Sequence, residues 1–461
     1  MNERQPWQPS TMNKLTFFFQ GDELFVKLIK NSSYLFFASL ISSLIGFVQS
    51  IILARYLGVA QYGLLALVFS YTAIVNQFFD FRVWEMITKY VAEYWSKNEK
   101  GKCLATIKLG YGIDVVSSLA AVLITILLSK PVARVVFHKP EVADILVVYA
   151  FSLLVTNVSN SSSAVLKVFD RFSWVGAQNV GRSVLSIVLI GIAVVLKWDL
   201  KSIIITYLAT ALISGGGFLF LAYVTIRKYL LGYKIDSRLR ELKGRLKEKG
   251  KFLFYTNMNG FLSMFRDNFD TFILGYFRGP TEVGWYKVAK NFVTIFLRIT
   301  DPVCYALYPQ LSGLWVANKK TEIRNLVLKV SKTMAVLVGL IILFTLLFAP
   351  SAIKMAVGQD YLNSATALRV LVCMMAWAVL IWAGSLLLAA GRPELAFRAM
   401  CISILVTVAA QLILIPRWGY IGASLAYTIN HFSWMVIVIL ILSRYKVFGF
   451  LFHAPLVVKR K

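Results

Sequence analysis

Long stretches of apolar residues recur along the whole chain and are separated by short polar segments. Residues 115–128 and 330–348 are almost free of charge, and a helix needs about 20 apolar residues to cross a bilayer. Continuous runs of this kind are typical of membrane helices, whereas a membrane β-barrel shows shorter alternating segments. The pattern predicts an all-α polytopic membrane protein with about twelve spans.

Hydropathy places these spans, numbered 1 to 12 from the N-terminus, at 33–54, 62–83, 105–128, 142–166, 173–196, 203–224, 252–275, 284–308, 326–349, 365–390, 395–415 and 420–442. With a cytoplasmic N-terminus, the inner loops and adjoining helix ends hold 33 Lys and Arg residues and the outer loops hold 9. Basic loops stay in the cytoplasm. We therefore expect a multi-pass protein of the cytoplasmic membrane with both termini inside.

The composition agrees with this picture, since 58% of the 461 residues are hydrophobic and 15% are charged, against about 25% charged in soluble domains. The net charge of +27 would suit nucleic acid, but the inner loops account for most of it. Residues 227–251 alone hold 10 basic residues among spaced leucines, which predicts an amphipathic segment on an anionic lipid surface. Nucleic acid or a regulatory partner is the less favoured alternative.

A shift of 221 residues aligns the two halves of the chain without a gap. It pairs Lys30 with Lys251, Gly58 with Gly279, Gly63 with Gly284, Asp80 with Asp301 and Arg171 with Arg392. Six spans per repeat give both halves the same orientation, so we expect two six-helix bundles related by an axis along the membrane normal.

Five segments follow from the spans and the repeat. They are a cytoplasmic N-terminal segment at 1–32, a first bundle at 33–226, a basic cytoplasmic linker at 227–251, a second bundle at 252–443 and a basic cytoplasmic tail at 444–461. Residues 14–30 mix lysines with apolar residues and suit either an interfacial helix or a disordered tail. No cleavable signal peptide is expected.

Chemical motifs are sparse. The four cysteines and three histidines are scattered, which disfavours disulfides and a metal site. No Walker A or catalytic pattern is present, so we expect neither an enzyme nor a cofactor.

Charged residues inside spans 7 and 8 are the main candidates for function, because charge inside a membrane is costly. At 100° per residue, the charged residues of span 8 share an arc of about 80°: they are Lys287, Lys290, Arg298 and Asp301. A polar stripe on span 7 covers about 60° and holds Asn259, Ser263, Arg266 and Asp270, with Asp267 beside it. Arg182 on span 5 is a further candidate.

These residues predict a basic cavity wall suited to phosphate or pyrophosphate. The repeat equivalents of Lys287, Lys290, Arg298 and Asp270 are Ala66, Phe69, Gln77 and Gln49, so the site should be asymmetric. The alternatives are local pairing of Arg266 with Asp270 and of Arg298 with Asp301, and snorkelling of the two lysines towards the membrane surface. Arg298 lies deepest and is the preferred candidate.

Four carboxylates, Asp80, Asp267, Asp270 and Asp301, are available to couple transport to H⁺ or Na⁺ or to balance charge. Pro302 follows Asp301 and removes a backbone donor. We expect a kink there, with a broken helix as the alternative.

Several motifs support a family resemblance. ARYLGVAQYG at 54–63 is similar to an LARxLGxxxYG signature, and further similar stretches lie at 79–81, 89–93, 270–274, 279–280, 283–286, 389–392 and 419–424. Over residues 33–442 the chain resembles the polysaccharide or O-antigen flippases of the multidrug/oligosaccharidyl-lipid/polysaccharide exporter superfamily. The resemblance implies that oligosaccharide units linked to undecaprenyl pyrophosphate are flipped by alternating access for surface polysaccharide biosynthesis. The implied partners are that substrate, membrane lipids and glycan polymerase machinery.

Three other classes stay open. A multidrug or cation exporter of the same superfamily would prefer an acidic or aromatic cavity. A membrane glycan polymerase or ligase would need larger outer loops. A scaffold without transport activity would tolerate loss of the basic face.

Overall fold

The computed structural model describes residues 23–230 and 245–444. Within these ranges the chain is helical and contains no strand. The helices are Glu23–Phe79, Val83–Met86, Ile87–Val91 (a π turn), Ala92–Ser96, Lys100–Val135, Pro140–Val142, Ala143–Ala150, Leu153–Val168, Phe172–Val195, Leu200–Leu230, Leu246–Asp267, Phe269–Arg278, Pro280–Val316, Lys320–Val357, Gln359–Tyr361, Asn363–Val372, Cys373–Leu380, Trp382–Ala389 and Pro393–Arg444.

Eight of the described helical segments are long and apolar enough to cross a membrane. Two of them contain 47 and 51 residues, more than twice the roughly 20 that a bilayer requires, and each is divided by a glycine with positive φ, Gly58 or Gly419. They therefore supply spans 1 and 2, and spans 11 and 12. The helices of spans 7 and 8 are outside the apolar set because they carry the polar stripes. The all-α fold with about twelve spans is confirmed.

The backbone repeats between the two halves. Residues with positive φ occur in pairs 220 to 222 positions apart: Gly58 and Gly279, Asn98 and Asn318, His138 and Gly358, Asp170 and Gly391, and Lys197 and Gly419. Such residues sit where one helix ends and the next begins, so the two halves turn at equivalent places. Among the described residues only Arg82 has positive φ without a counterpart.

The five segment limits stay predictions, and parts of them lie outside the described residues, namely 1–22, 231–244 and 445–461. Span 6 continues to Leu230 and span 7 begins at Leu246, so both extend into the linker predicted at 227–251.

The two bundles meet tightly at the end that contains the span 1–2 connection, which we call the outer end after the predicted orientation. A Cβ added to Gly63 would lie 1.8 Å from the carbonyl oxygen of Pro280, and one added to Gly284 would lie 2.3 Å from that of Val59. Val59 and Pro280 are themselves 221 residues apart. The contact is thus nearly symmetric and requires glycine on both sides.

Polar contacts join the halves at the opposite, inner end. The Asn257 side chain donates to the Asp80 carbonyl oxygen at 2.8 Å, and Arg245 forms an ion pair with Glu93 at 2.8 Å. Hydrogen bonds from Arg245 and then Lys97 hold the pKa of Glu93 down at about 2. Polar bonds and aromatic contacts, such as that of Phe252 with Tyr90, therefore close this end of the interface.

One lysine of the basic linker is buried against the first half of the chain. Lys249 is buried, with its Nζ 4.2 Å from the ring centroid of Tyr90 and 4.7 Å from that of Tyr94. Burial lowers the pKa of Lys249 to about 8. Aromatic rings of the first half thus cover this lysine, whereas Lys247, Glu248, Gly250 and Lys251 are exposed, and the surface helix stays a prediction.

The two halves differ at Asp80 and Asp301. Span 2 ends at Phe79, and the backbone N–H of Arg82 donates to Asp80 Oδ1 at 2.7 Å, which caps a break. Span 8 instead continues as one helix, Pro280–Val316, through Asp301 and Pro302. The broken helix considered at Pro302 is thus absent, and the break occurs at its repeat equivalent.

Candidate functional site

Asp270 and Lys290 form a sealed polar network between spans 7 and 8. Lys290 Nζ lies 2.6 Å from Asp270 Oδ2, with side chains 10% and 0% exposed. Tyr286 donates to the same oxygen at 2.5 Å, and Lys290 also donates to the Asp267 carbonyl oxygen at 3.0 Å. A buried pair with its remaining bonds satisfied holds helices together.

This network corrects two expectations. Lys290 does not snorkel, because its ammonium group is hydrogen-bonded inside the second bundle. Asp270 does not pair with Arg266, since Lys290 and Tyr286 occupy it. Neither Lys290 nor Asp270 is open to a substrate without rupture of the pair.

Arg266 pairs with its chain neighbour Asp267 through two parallel hydrogen bonds of 2.8 and 3.0 Å. Both side chains are partly exposed. The i,i+4 pairing that helical spacing suggested is therefore replaced by an i,i+1 pair at the end of helix Leu246–Asp267. The bidentate geometry leaves the pair compact and close to neutral.

Arg298 pairs with Asp301 at 3.1 Å, as the alternative interpretation anticipated, but the two side chains are 41% and 31% exposed. The Arg298 Nε atom is buried and has no hydrogen-bond partner. Because guanidinium carries five N–H donors, Arg298 keeps capacity for a second, anionic partner.

The position of Asn291 shows which way Arg298 points. Asn291 donates to Ser50 Oγ at 2.6 Å and to the Tyr62 hydroxyl at 2.9 Å, both in the first bundle. Arg298 follows seven residues later, about two turns along the same helix face. By helical periodicity, Arg298 therefore shares the side of span 8 on which Asn291 contacts the first bundle, and its side chain is 41% exposed.

Four candidates of the sequence analysis remain: Lys287, Arg182, Asp80 and Asn259. Lys287 is partly buried and its nearest charged groups are Lys290 and Asp270. Arg182 is exposed on span 5 near Tyr149, and Asp80 caps span 2. The side chain of Asn259 lies outside the described ones. The structure thus gathers Arg266, Asp267, Asp270, Lys287 and Lys290 on spans 7 and 8, and leaves Arg182 and Asp80 apart.

Aromatic residues that the sequence analysis did not select lie next to Lys290 and to one another in the second bundle. Lys290 Nζ lies 4.5 Å from the Tyr427 ring centroid, and His431 lies 5.0 Å from Tyr427 and 6.1 Å from Trp377, centroid to centroid. Tyr427 and His431 are four residues apart on span 12, a helical spacing that the sequence displays. Among the described residues, no group of three or more His, Cys, Asp or Glu is placed to hold a metal ion.

Two bundles of membrane helices, repeated in sequence and joined across a partly polar interface, form an architecture that many membrane transporters share. Residues 28–315 match the family model described as "Polysaccharide biosynthesis protein". The chain belongs to this family, and the resemblance drawn from its motifs is confirmed.

Two relatives illustrate the match. The chain is 20% identical over 272 residues to Inner membrane protein YghQ of Escherichia coli (strain K12). The aligned part is 59% of this chain and 76% of that protein. It is 28% identical over 165 residues to Probable flippase AglR of Haloferax volcanii, covering 34% of each. The chain thus matches about a third of the length of AglR.

Solved structures show the same fold. The inward closed conformation of Lipid II flippase MurJ aligns with a TM-score of 0.70 and 15% identity, over 88% of this chain and 87% of that one. An inward-facing multidrug resistance MATE family transporter aligns with a TM-score of 0.72 and 14% identity, over 89% and 95%. Because a lipid flippase and a drug transporter both align, the fold does not choose the substrate.

Proposed function

We propose that this protein is a flippase that moves oligosaccharide units linked to undecaprenyl pyrophosphate across the cytoplasmic membrane during surface polysaccharide biosynthesis. Family membership supports the transport of a lipid-linked glycan. The polyprenyl pyrophosphate carrier is the finer part of the proposal, and it rests on the chemistry of the basic residues.

Arg298 is the observation that carries the proposal. Its side chain is 41% exposed, is paired with one carboxylate, and lies by helical periodicity on the same side of span 8 as Asn291, which bonds to the first bundle. Pyrophosphate offers several anionic oxygens, and arginine binds such groups with two parallel hydrogen bonds. A substrate headgroup at this position would displace Asp301 and accept hydrogen bonds from the terminal amino groups of the guanidinium.

Alternating access follows from the two ends of the interface. The outer contact is built from close backbone approach at Gly63 and Gly284, whereas the inner contact is built from side chains, with polar bonds and an ion pair among them. The bundles rock when one end separates while the other stays closed. The substrate would enter from the cytoplasmic side once the inner bonds open.

Export of a surface glycan in cells tests this function. In a host that lacks its own flippase and makes the matching lipid-linked unit, the wild-type chain should restore export, and Arg298→Ala should reduce it by about tenfold or more. Arg398→Ala, which removes an exposed arginine of span 11, is the matched control and should export normally. Equal export by the Arg298→Ala protein, at equal protein level, would contradict the proposal.

A further inference from the structure

A buried polar cluster lies between spans 3 and 4, in the bundle opposite to the basic residues. Asp114, Ser118, Asn157 and Ser161 are each at most 2% exposed. Asp114 Oδ2, Ser118 Oγ, Ser161 Oγ and both polar side-chain atoms of Asn157 have no hydrogen-bond partner in the part of the chain described. Buried polar groups are nearly always paired, so this concentration of unpaired atoms requires an explanation.

The helix register places these four residues on the facing sides of spans 3 and 4. The Tyr111 hydroxyl lies 2.8 Å from Ser162 Oγ, which fixes the antiparallel pairing of the two helices. One turn further along span 3, Asp114 lies beside Ser161, with which its carboxylate interacts. Ser118 and Asn157 follow at the next turn of each helix, since i and i+4 share a face.

Other serines on the same two helices do have hydrogen-bond partners. Ser117 donates to the Asp114 carbonyl oxygen at 3.1 Å, Ser159 to Val155 at 2.5 Å and Ser162 to Val158 at 2.8 Å. Serine in a helix commonly satisfies itself in this way. Ser118 and Ser161 sit on the same helices and make no such backbone bond, and Ser161 lies beside the Asp114 carboxylate instead, so both hydroxyl oxygens lie at the helix interface.

We propose that this cluster binds Na⁺. A carboxylate, two hydroxyl groups and an amide oxygen are ligands of the hard, oxygen-seeking type. One carboxylate balances one positive charge, and no lysine or arginine of the described residues forms an ion pair with Asp114. The second bundle lacks this chemistry, because the shift of 221 residues places Ala335, Gly339, Ala378 and Trp382 at the equivalent positions.

With both proposed sites occupied, the protein would bind a cation in the first bundle and an anion in the second. Na⁺ binding itself does not depend on the glycan, but a role in driving transport rests on the proposed function. Asp114 lies near the Asp80 carboxylate, and Asp80 accepts the inner bond from Asn257. Charge neutralisation at Asp114 therefore acts beside the residue that holds the inner end closed.

Binding of radioactive ²²Na⁺ to the purified full chain in detergent tests the site without any glycan. We expect saturable binding of one ion per chain. Asp114→Asn should weaken it by about tenfold or more, whereas Asp144→Asn, which removes an exposed carboxylate, should not. Absence of saturable binding by the wild-type protein, or equal binding by Asp114→Asn, would overturn the proposal.

Thermal unfolding in NaCl against KCl separates a ligand role from a structural one. Na⁺ should raise the unfolding midpoint of the wild-type chain but not that of Ser161→Ala. In KCl, Ser161→Ala should be about as stable as wild type, because the Ser161 hydroxyl makes no hydrogen bond of normal geometry. If Ser161→Ala is equally destabilised in both salts, the cluster holds buried water and the proposal fails. Both assays can succeed even if glycan export proves wrong.

Discussion

The two repeats have the same backbone turns but bury different polar side chains. Paired residues with positive φ place the helix ends at equivalent positions, and the glycines of the outer contact occupy matched sites. The polar interiors differ, with unpaired oxygens around Asp114 in the first bundle and the Lys290–Asp270 pair in the second. The two repeats have thus kept the positions at which the chain turns and packs, while the polar side chains that they bury have diverged.

The same comparison distinguishes two kinds of charge. Lys290 and Asp270 are buried and fully bonded to each other and to the protein, so they stabilise the second bundle. Arg298 is paired but accessible and keeps a spare donor. Charge alone therefore does not make a residue a candidate for substrate binding, because the charged group must also be accessible.

The largest effect is expected from Lys290→Met, which leaves the Asp270 carboxylate buried without its partner. Loss of one member of a buried ion pair costs about 3–5 kcal/mol, measured as the free energy of unfolding in detergent. The double change Lys290→Met with Asp270→Asn should regain much of that stability. A single variant as stable as wild type would show that the pair does not hold spans 7 and 8 together.

The next effect is expected at the outer contact. Gly284→Ala places a Cβ 2.3 Å from the Val59 carbonyl oxygen, and overpacking of this kind costs about 1–3 kcal/mol. Gly339→Ala is the control, because its Cβ would meet nothing within 4 Å. If the two variants unfold at the same temperature, the symmetric glycine contact is not what joins the bundles.

A smaller effect is expected at the inner end. Asn257→Leu removes the single hydrogen bond to the Asp80 carbonyl oxygen, and a bond of this kind contributes about 1 kcal/mol. Cysteine cross-linking between spans 2 and 7 would report the state of this end, and the variant should cross-link less than wild type. Unchanged cross-linking would mean that Asn257 does not keep the inner end closed.

The smallest effect is a pH dependence at Glu93. Arg245 holds the pKa of Glu93 at about 2, below its ordinary value of 4.5. The ion pair therefore contributes full stability above pH 4.5 and loses it as the pH falls from 4.5 towards 2. The difference in unfolding midpoint between wild type and Glu93→Gln should shrink over that range. A constant difference would indicate that the carboxylate charge is not involved, and Glu141→Gln serves as an exposed control.

Sequence reasoning succeeded where structure is local and failed where it depends on packing. The spans, the repeat and the glycine turns follow from hydropathy and from φ preferences. The partner of Asp270 could not be predicted in this way, because Lys290 lies on another helix. Helical spacing had pointed to Arg266 instead. The break of span 2 at Asp80 was also missed, since the proline lies in the other repeat, after Asp301.

Asp114 was overlooked although a signal existed. It is the one carboxylate of span 3, and residues 156–163 of span 4 read TNVSNSSS, a polar run inside a membrane segment. A search confined to basic residues passes over such oxygen donors. Recognition that their atoms are unpaired required the packed helices.

Flipping of a pyrophosphate-linked oligosaccharide lipid by the purified chain in proteoliposomes tests the account most directly. Wild type and the Arg398→Ala control should move the substrate between leaflets at the same rate, and Arg298→Ala should lower that rate by about tenfold or more. If none of the three proteins exceeds protein-free vesicles, or if Arg298→Ala equals wild type, the basic face does not carry the headgroup and the central claim is contradicted.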